Sequence, residues 1–345
     1  MDRISVERAT ALLEAARDVR VLVVGDLMLD RYIAGTVDRI SPEAPVPVVR
    51  VETESSAVGG AGNVASNVVS LGAGCDIVGS VGDDEPGADL RKALDAAGVG
   101  IEGLVVAHHR PTTVKTRILA RRQQVVRVDR EDDGDADEAL AERLAEAVRR
   151  QARGARVVAV EDYNKGVLVP PVIDAALGRD GGHDLPTVVD PKKLRFFDFG
   201  GCTVFKPNAK ELADALGEHL HPDDARWMGA TRRRLGCDHL LLTLGERGMA
   251  LETRDEVFVR VPAAARAVYD VSGAGDTVTA VIAVCLAAGA SAPEAAILAN
   301  HAAAIEVGKA GVATVSPREI LDHVRRTREQ DLTSPSTTDH GETHA

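Results

Sequence analysis

The sequence has few cysteines and no long hydrophobic run, and each absence excludes a class of protein. Four cysteines are scattered through 345 residues without a Cys-x-x-Cys pair, which indicates reduced, packed thiols. The first twenty residues include Glu7, Glu14 and Asp18, too much charge for a signal peptide. The apolar stretch at 278–290 is shorter than the ~20 residues that cross a bilayer. The sequence therefore predicts a cytoplasmic protein without a membrane partner.

Positive charge is also scarce. The net charge of −12 disfavours nucleic acid as a partner, because binding it requires a basic surface. No Gly-x-x-x-x-Gly-Lys-Ser/Thr occurs, which excludes a P-loop nucleotide site. In so acidic a chain, a phosphorylated substrate would need a local basic cluster. The candidates for that cluster are Lys115, Arg117, Arg121, Arg122, Lys192 and Lys193.

Short apolar runs alternate with helical patterns along most of the chain, which predicts an α/β fold with a mostly parallel sheet covered on both faces. The predicted strands lie at 21–24, 157–160, 187–189, 203–205 and 240–242. The predicted helices include 5–18, 137–152, 208–216 and 223–235.

Three segments depart from this alternation. Residues 31–53 and 112–130 are extended and rich in Val, Thr and Arg, which predicts a small accessory sheet. We interpret this sheet as a lid that excludes water from a site, with an ordinary edge hairpin as the alternative. Residues 329–345 are polar, and we expect a disordered tail there after a single folded domain at 1–328.

The strongest motif is Asp-Val-Ser-Gly-Ala-Gly-Asp at 270–276, which precedes an apolar helical stretch. Small residues before a helix let backbone N–H groups point at one spot, where the helix dipole adds positive charge that suits a phosphoryl group. Asp276 lies in the first turn and suits a base that takes a proton from an attacking hydroxyl. The alternative is a plain helix cap, for which Asp is favoured.

Two further motifs suit a nucleotide. Thr-Leu-Gly-Glu-Arg-Gly at 243–248 follows a strand as a tight turn that a nucleotide can approach closely. In the segment 206–211, Asn208 and Glu211 have the spacing of a helix capping box, and capping a helix would by itself account for both residues. The functional interpretation is that these two side chains hold water around a nucleotide-bound magnesium ion.

The first strand ends near Asp26, and a glycine-rich segment at 59–63 opens a helix. Ligands of open α/β sheets bind at strand ends. Asp30 and Asn63 offer oxygen and amide groups that suit sugar hydroxyls, although Asp30 would also suit a turn.

Together these motifs resemble the ribokinase-like (PfkB) carbohydrate kinases, over the chain to about residue 328. The resemblance implies a three-layer α/β/α sandwich with a small β lid. Within that family the chain resembles the kinases of D-glycero-β-D-manno-heptose 7-phosphate, which form the 1,7-bisphosphate for ADP-heptose and lipopolysaccharide core synthesis. The segments that carry this finer match are 25–32, 39–48, 59–67, 122–124, 162–166, 190–192 and 270–277.

The resemblance also implies ATP and magnesium as cofactors and assigns roles to residues. Asp276 would be the base, and the N–H groups of Gly273, Ala274 and Gly275 would form the anion hole. The residues expected around ATP and magnesium are Asn208, Glu211, Thr243, Gly245, Gly248 and Asn300. The residues expected at the sugar phosphate are Asp30, Gly60, Asn63, Asn67, Arg122 and Lys192.

Relatives often bind a monovalent cation, potassium for example, which Asp270 and the loop around Gly311 would hold. Many relatives also form homodimers through the lid. Bifunctional relatives carry a nucleotidyltransferase domain that the tail cannot hold, so we expect phosphorylation alone. Glu161 adds an acid near the expected site, and the sequence gives it no role.

Other functions stay open at this point. A PfkB kinase for another sugar, such as a fructose phosphate or ribose, would share Asp276 and differ near the lid. A sugar-phosphate sensor without catalysis is a second alternative. A dinucleotide-dependent oxidoreductase is weakly indicated by Gly-x-Gly-x-x-Ala at 60–65, because that motif lies past the first βα turn.

Overall fold

The computed structural model describes residues 4–121, 123–264, 269–309 and 311–333. The helices are α1 (Val6–Ala15), α2 (Ala61–Ser70), α3 (Glu85–Ala96), α4 (Glu138–Ala152), α5 (Pro170–Ala176), α6 (Ala209–Leu216), α7 (Ala225–Leu235), α8 (Ala274–Ala287), α9 (Ala292–Glu306) and α10 (Pro317–Thr333). The strands are β1 (Arg20–Gly25), β2 (Leu27–Ile40), β3 (Pro47–Gly60), β4 (Gly74–Gly82), β5 (Gly100–Ala107), β6 (Thr113–Ala120), β7 (Gln123–Arg130), β8 (Val157–Glu161), β9 (Thr187–Asp190), β10 (Val204–Phe205), β11 (His239–Thr243), β12 (Met249–Glu252) and β13 (Phe258–Val261).

Within the described residues, the large sheet has nine strands in the order β13-β12-β11-β10-β9-β8-β1-β4-β5. The strands from β11 to β5 pair in parallel, and only the edge pairs β11–β12 and β12–β13 are antiparallel. Helices that connect parallel strands cover both faces of such a sheet. This confirms the predicted α/β class and its mostly parallel sheet.

The sheet separates two hydrophobic cores, and alternate side chains of β1 enter different cores. Val21 and Val23 pack with α1, α2, α8 and α9, whereas Leu22 and Val24 pack with α4, α5 and α7. All four side chains are fully buried. A strand buried on both faces needs an unbroken apolar run, because successive side chains point to opposite sides. The fold is therefore the expected three-layer sandwich.

The second sheet has four strands in the order β3-β2-β6-β7 and contains both extended segments that the sequence singled out. The pairs β2–β3 and β6–β7 are antiparallel, and β2 pairs with β6 in parallel. Every residue of β7 is exposed. The predicted small sheet is confirmed, and its role as a lid stays a prediction.

The carboxyl ends of the parallel strands meet at one edge of the large sheet. There β1 ends at Gly25, β8 at Glu161 and β9 at Asp190, with Glu161 opposite Asp190 in the ladder. Parallel strands place the residues that follow them at the same edge. Polar side chains from distant parts of the sequence are therefore brought together here.

A loop at 162–167, directly after β8, is fixed at this edge by Asp26. The Asp26 carboxylate accepts hydrogen bonds from the backbone N–H groups of Tyr163 at 2.8 Å, Lys165 at 3.0 Å and Val167 at 3.1 Å. Asp26 is buried, and burial raises the pKa of its carboxyl although the three N–H groups oppose that shift. Such backbone donors replace water around a buried carboxylate.

The C-terminal helix differs from the expectation of a disordered tail at 329–345. Helix α10 continues to Thr333, because no Gly or Pro interrupts the chain between Pro317 and Pro335. The expectation was wrong for 329–333, and residues 334–345 lie outside the described residues. In the ranges that the structure describes, no helix is long and apolar enough to cross a bilayer.

We expect Asp26→Ala to lower the free energy of unfolding by about 2–4 kcal/mol, because three backbone N–H groups lose their acceptor. Urea denaturation measures this change. Asp95→Ala, at an exposed position of α3, is the matched control and should change the value by less than about 0.5 kcal/mol. Equal stability of the two variants would show that the loop does not depend on Asp26.

Candidate active site

Helix α8 begins at the glycine-rich motif, with Gly273 directly before its first turn. Gly273 precedes the helix with φ of +92°, a left-handed conformation that side chains disfavour. A Cβ at Gly273 would also lie 3.0 Å from the Asn63 amide nitrogen. No side chain caps this helix. The N-terminus of α8 therefore keeps free backbone N–H groups, and the binding of an anion there stays a prediction.

Asp276 lies in that first turn and is buried. Asn63 donates to one carboxylate oxygen at 2.6 Å, and the Tyr163 hydroxyl donates to the other at 2.8 Å. Burial raises the pKa of Asp276 to about 6, the hydrogen bonds from Asn63 and Tyr163 oppose this shift, and the nearby Asp190 charge adds to it. A carboxylate with a pKa near neutrality suits proton transfer.

Asn63 is itself held by buried neighbours. Asn67 donates to the Asn63 carbonyl oxygen at 3.0 Å, and the Thr277 hydroxyl donates to Asn67 at 3.2 Å. Asn67 was expected to contact the sugar phosphate, yet the structure places it behind Asn63. Gly60 has φ of +59°, and a Cβ there would lie 2.5 Å from the Asp26 carbonyl oxygen. Backbone packing alone therefore requires glycine at this position.

A cluster of buried acids lies beside Asp276, and sequence reasoning did not find it as a cluster. Carboxylate oxygens of Glu161, Asp190 and Asp276 all lie within 4.8 Å of one another. Lys206 donates to Asp190 at 2.7 Å. Both oxygens of Glu161 are buried without a hydrogen-bond partner among the described residues. Burial and the charges of Asp190 and Asp276 raise the pKa of Glu161 well above its usual value.

A cleft of about 960 Å³ opens in front of the α8 N-terminus. Its walls include most of the residues predicted to bind a nucleotide or to act in catalysis. These residues are Asn208, Glu211, Thr243, Gly245, Gly248, Gly273, Ala274, Gly275, Asp276 and Asn300. Lys192 also lines the cleft. A volume of this size suits a small-molecule ligand and its cosubstrate.

At the wall of the cleft that includes the 243–248 turn, Asn208 and Glu211 form a capping box at the start of α6. Their spacing in the sequence predicted this box. Glu211 also binds Lys192, with 2.6 Å between the Lys192 ammonium and a carboxylate oxygen. One carboxylate at the cleft wall suits a magnesium ion that keeps its waters, so this residue fits the expected role. Asn300 donates to the Pro262 carbonyl oxygen at 2.8 Å.

On the lid side, Asp30 is buried and forms an ion pair with Arg117 of β6. Arg117 therefore neutralises Asp30, and the two side chains form one unit between β2 and β6. The ammonium groups of Lys192 and Lys115 lie 5.0 Å and 5.9 Å from the ring centre of Tyr163. Arg122, also expected at the sugar phosphate, lies outside the described residues.

The expected monovalent-cation site also contains an acid that the sequence did not single out. Asp270 accepts from the Ser272 N–H at 2.9 Å, and backbone N–H groups, including that of Gly311, keep the pKa of Asp270 low although burial opposes them. Glu306 is buried with both oxygens lacking a partner in the described chain. Burial, with the charges of Asp270 and Asp276, raises its pKa to about 8. These carboxylates fit a cation, which would relieve their repulsion.

The class of protein follows from these observations. Residues 19–319 match the pfkB family carbohydrate kinases, and the chain belongs to that family. It is a carbohydrate kinase, and the family uses ATP and a divalent metal.

Curated relatives carry a more particular description. The chain is 42% identical over 326 residues to the bifunctional protein HldE of Pelobacter propionicus, covering 94% of this chain and 66% of that protein. It is 46% identical over 305 residues to the bifunctional protein HldE of Caulobacter vibrioides, covering 87% of this chain and 62% of that protein. The chain thus spans about two thirds of the length of these relatives or less.

Solved structures share the fold at lower identity. Arabidopsis thaliana ribokinase complexed with ribose and ATP has a TM-score of 0.68 at 22% identity, covering 89% of this chain and 99% of that chain. Escherichia coli phosphofructokinase-2 in complex with potassium has a TM-score of 0.74 at 20% identity, covering 90% and 99%. These similarities establish a ribokinase-like fold.

We expect kinase activity to fall on the acid side of about pH 6, because protonated Asp276 cannot accept a proton. Below that pH, kcat/KM should drop about tenfold for each pH unit. The measurement is ADP release from magnesium-ATP with a sugar acceptor across the pH range. An activity that is constant down to about pH 4, near the ordinary pKa of Asp, would contradict Asp276 as the titrating base.

Proposed function

We propose that this kinase transfers the γ-phosphoryl group of ATP to the anomeric hydroxyl of D-glycero-β-D-manno-heptose 7-phosphate. The product is the 1,7-bisphosphate, a precursor in ADP-heptose and lipopolysaccharide core synthesis. The observation that carries the proposal is the buried Asp276 carboxylate at the open N-terminus of α8, in one cleft with the nucleotide turn and Lys192. The likeness to bifunctional HldE proteins and the proline-rich segment at 39–48 support this sugar over others.

Asp276 accepts the proton of the anomeric hydroxyl, whose oxygen attacks the γ-phosphorus as the bond to the departing ADP oxygen breaks. The N–H groups of Gly273, Ala274 and Gly275 stabilise the charge on the transferring group. Asn208 and Glu211 would hold a nucleotide-bound magnesium ion through water, and that ion would neutralise charge on the phosphates. Asn63 and Tyr163 fix the orientation of the base.

The sugar would lie between Asp276 and the lid. Asp30, Asn63 and Lys192 are proposed to contact it, with Lys115 and Lys192 providing the positive charge for its phosphate. The lid would exclude water from the transferring phosphoryl group. A homodimer through the lid, a cytoplasmic location and a potassium ion at Asp270 stay predictions. Exposed apolar side chains on the lid, such as Val51, Val126 and Val128, support the dimer.

The second candidate function is a PfkB kinase for another sugar or sugar phosphate. The observation that keeps it open is the Asp30–Arg117 ion pair, because a charged pair at the sugar side can bind several polyols. The buried, hydrogen-bonded Asp276 weighs against a sensor without catalysis.

We expect turnover of D-glycero-D-manno-heptose 7-phosphate and not of sedoheptulose 7-phosphate, fructose 6-phosphate, fructose 1-phosphate or ribose. Asp276→Asn should bind ATP normally and lower kcat about 100-fold or more, because the base is lost. A coupled ADP-release assay measures both.

Asp95→Asn, at an exposed position, is the matched control and should keep full activity. Turnover of another sugar would support kinase activity but overturn the assignment of the heptose phosphate as the substrate. A near-normal kcat in Asp276→Asn would show that Asp276 is not the base. No turnover of any of these sugars by folded, ATP-binding protein would favour the sensor.

A further inference from the structure

We propose that Tyr163 is a positioning residue that fixes the catalytic base with its hydroxyl and the basic end of the sugar site with its ring. This inference rests on the proposed function, since it assumes Asp276 as the base and a phosphorylated sugar as substrate. The Tyr163 side chain would thereby set the distance between the Asp276 carboxylate, which accepts the proton, and the two lysine ammonium groups that bind the phosphate.

The loop that carries Tyr163 is held at several points. The Asp26 carboxylate accepts the N–H of Tyr163 and two later N–H groups of the loop. Asp162 accepts the N–H of Asn164 at 2.8 Å and that of Lys192 at 3.1 Å. Asn164 has φ of +54°, which Asn tolerates better than most residues. A loop with this many fixed points can place a side chain precisely.

The hydroxyl of Tyr163 acts on the base. It donates to one oxygen of Asp276 at 2.8 Å while Asn63 donates to the other oxygen at 2.6 Å. Two donors on opposite oxygens prevent rotation of the carboxylate and stabilise its charged form. Burial and the charge of Asp276 raise the pKa of Tyr163 well above its usual value, so its hydroxyl remains a donor.

The ring of Tyr163 acts on the lysines. The ammonium of Lys192 lies 5.0 Å and that of Lys115 lies 5.9 Å from the ring centre, distances at which a ring attracts a cation. Lys192 is also held by Glu211. No ion pair within the described residues involves Lys115, so its charge is available to a phosphate. A substrate with its phosphate on the lysines then presents its other end to Asp276.

The two halves of this role are separable by mutation. Tyr163→Phe removes only the hydroxyl, so kcat should fall about tenfold while KM for the sugar phosphate changes less than about twofold. The acid limb of the kcat/KM profile should move to higher pH by about half a unit to one unit, because the carboxylate of Asp276 loses a stabilising donor. Tyr163→Leu also removes the ring, and KM for the sugar phosphate should rise about tenfold further.

Tyr269→Phe is the matched control, because Tyr269 is exposed and its hydroxyl loss should change neither kcat nor the profile. If the wild-type enzyme turns over the sugar phosphate and Tyr163→Phe shows the same fall of kcat/KM at acid pH, Tyr163 does not act on the Asp276 carboxylate. Equal KM values for Tyr163→Phe and Tyr163→Leu would overturn the role of the ring. Failure of the proposed function is distinct, since the wild-type enzyme itself would then not turn over the heptose phosphate.

A second inference rests on a different observation, the unpartnered acid Glu161. We infer that Glu161 holds a proton in the resting enzyme, which leaves Asp276 as the charged base. Asp190 is compensated by Lys206, and Asp276 by Asn63 and Tyr163, whereas Glu161 is fully buried beside both acids without a donor. Lys192 is the other cation near Glu161, and it is already paired with Glu211. A buried carboxylate without a partner costs more than a neutral acid.

The infrared band of a protonated carboxyl group tests this second inference directly. At neutral pH the wild-type protein should show a band that Glu161→Gln lacks, while Glu306→Gln, at another buried acid, retains it. Glu161→Gln should keep its acid limb unchanged, because amide and neutral acid are both uncharged. A spectrum without that band, together with an acid limb moved to lower pH in Glu161→Gln, would show that Glu161 is ionised.

Discussion

The geometry of the site depends on the Asp26 carboxylate, which accepts three backbone N–H groups from the loop after β8. Asp26 follows the central strand β1, and the loop follows the adjacent strand β8. The carboxylate thus joins two strand ends and fixes Tyr163 next to Asp276. Without that acceptor three backbone N–H groups of the loop would lose their partner, so the position of Tyr163 beside the candidate base and the stability of this edge have one cause.

The site concentrates carboxyl groups that proteins usually keep in contact with water. Glu161, Asp190 and Asp276 are all buried, and Lys206 forms an ion pair with Asp190. Such burial is unfavourable for folding but suits chemistry, because a poorly solvated carboxylate binds a proton more readily. The same desolvation acts on Glu306 on the far side of Gly273. In the proposed reaction, the phosphoryl donor would approach a region whose charge balance depends on the protonation of these carboxyl groups.

Much of the fold could be predicted because its signals are local. Apolar runs predicted strands such as β1 and β8, and the Val- and Thr-rich segments predicted the small sheet. The glycine-rich motif predicted the start of α8 and placed Asp276 in its first turn. The extent of α10 was missed, because a polar composition resembles a disordered tail even where no residue ends the helix.

Residues that act through distant partners were not predictable in this way. Tyr163 lies 113 residues before Asp276, and no spacing rule relates them. The pairing of Lys206 with Asp190 depends on the order of β9 and β10 in the sheet, which no local pattern in the sequence gives. The family resemblance implied Asn67 at the substrate, and only the structure shows that Asn67 donates a hydrogen bond to the Asn63 carbonyl oxygen.

The sequence by itself determined the fold class, the glycine-rich start of α8 and the identity of the candidate base, because these depend on local periodicity and on a contiguous motif. The tertiary structure decided which side chains surround that base, which acids are buried together and where the lysines lie. The physical reason is that parallel strands gather residues far apart in the chain at one edge, where desolvation and hydrogen bonding set their protonation.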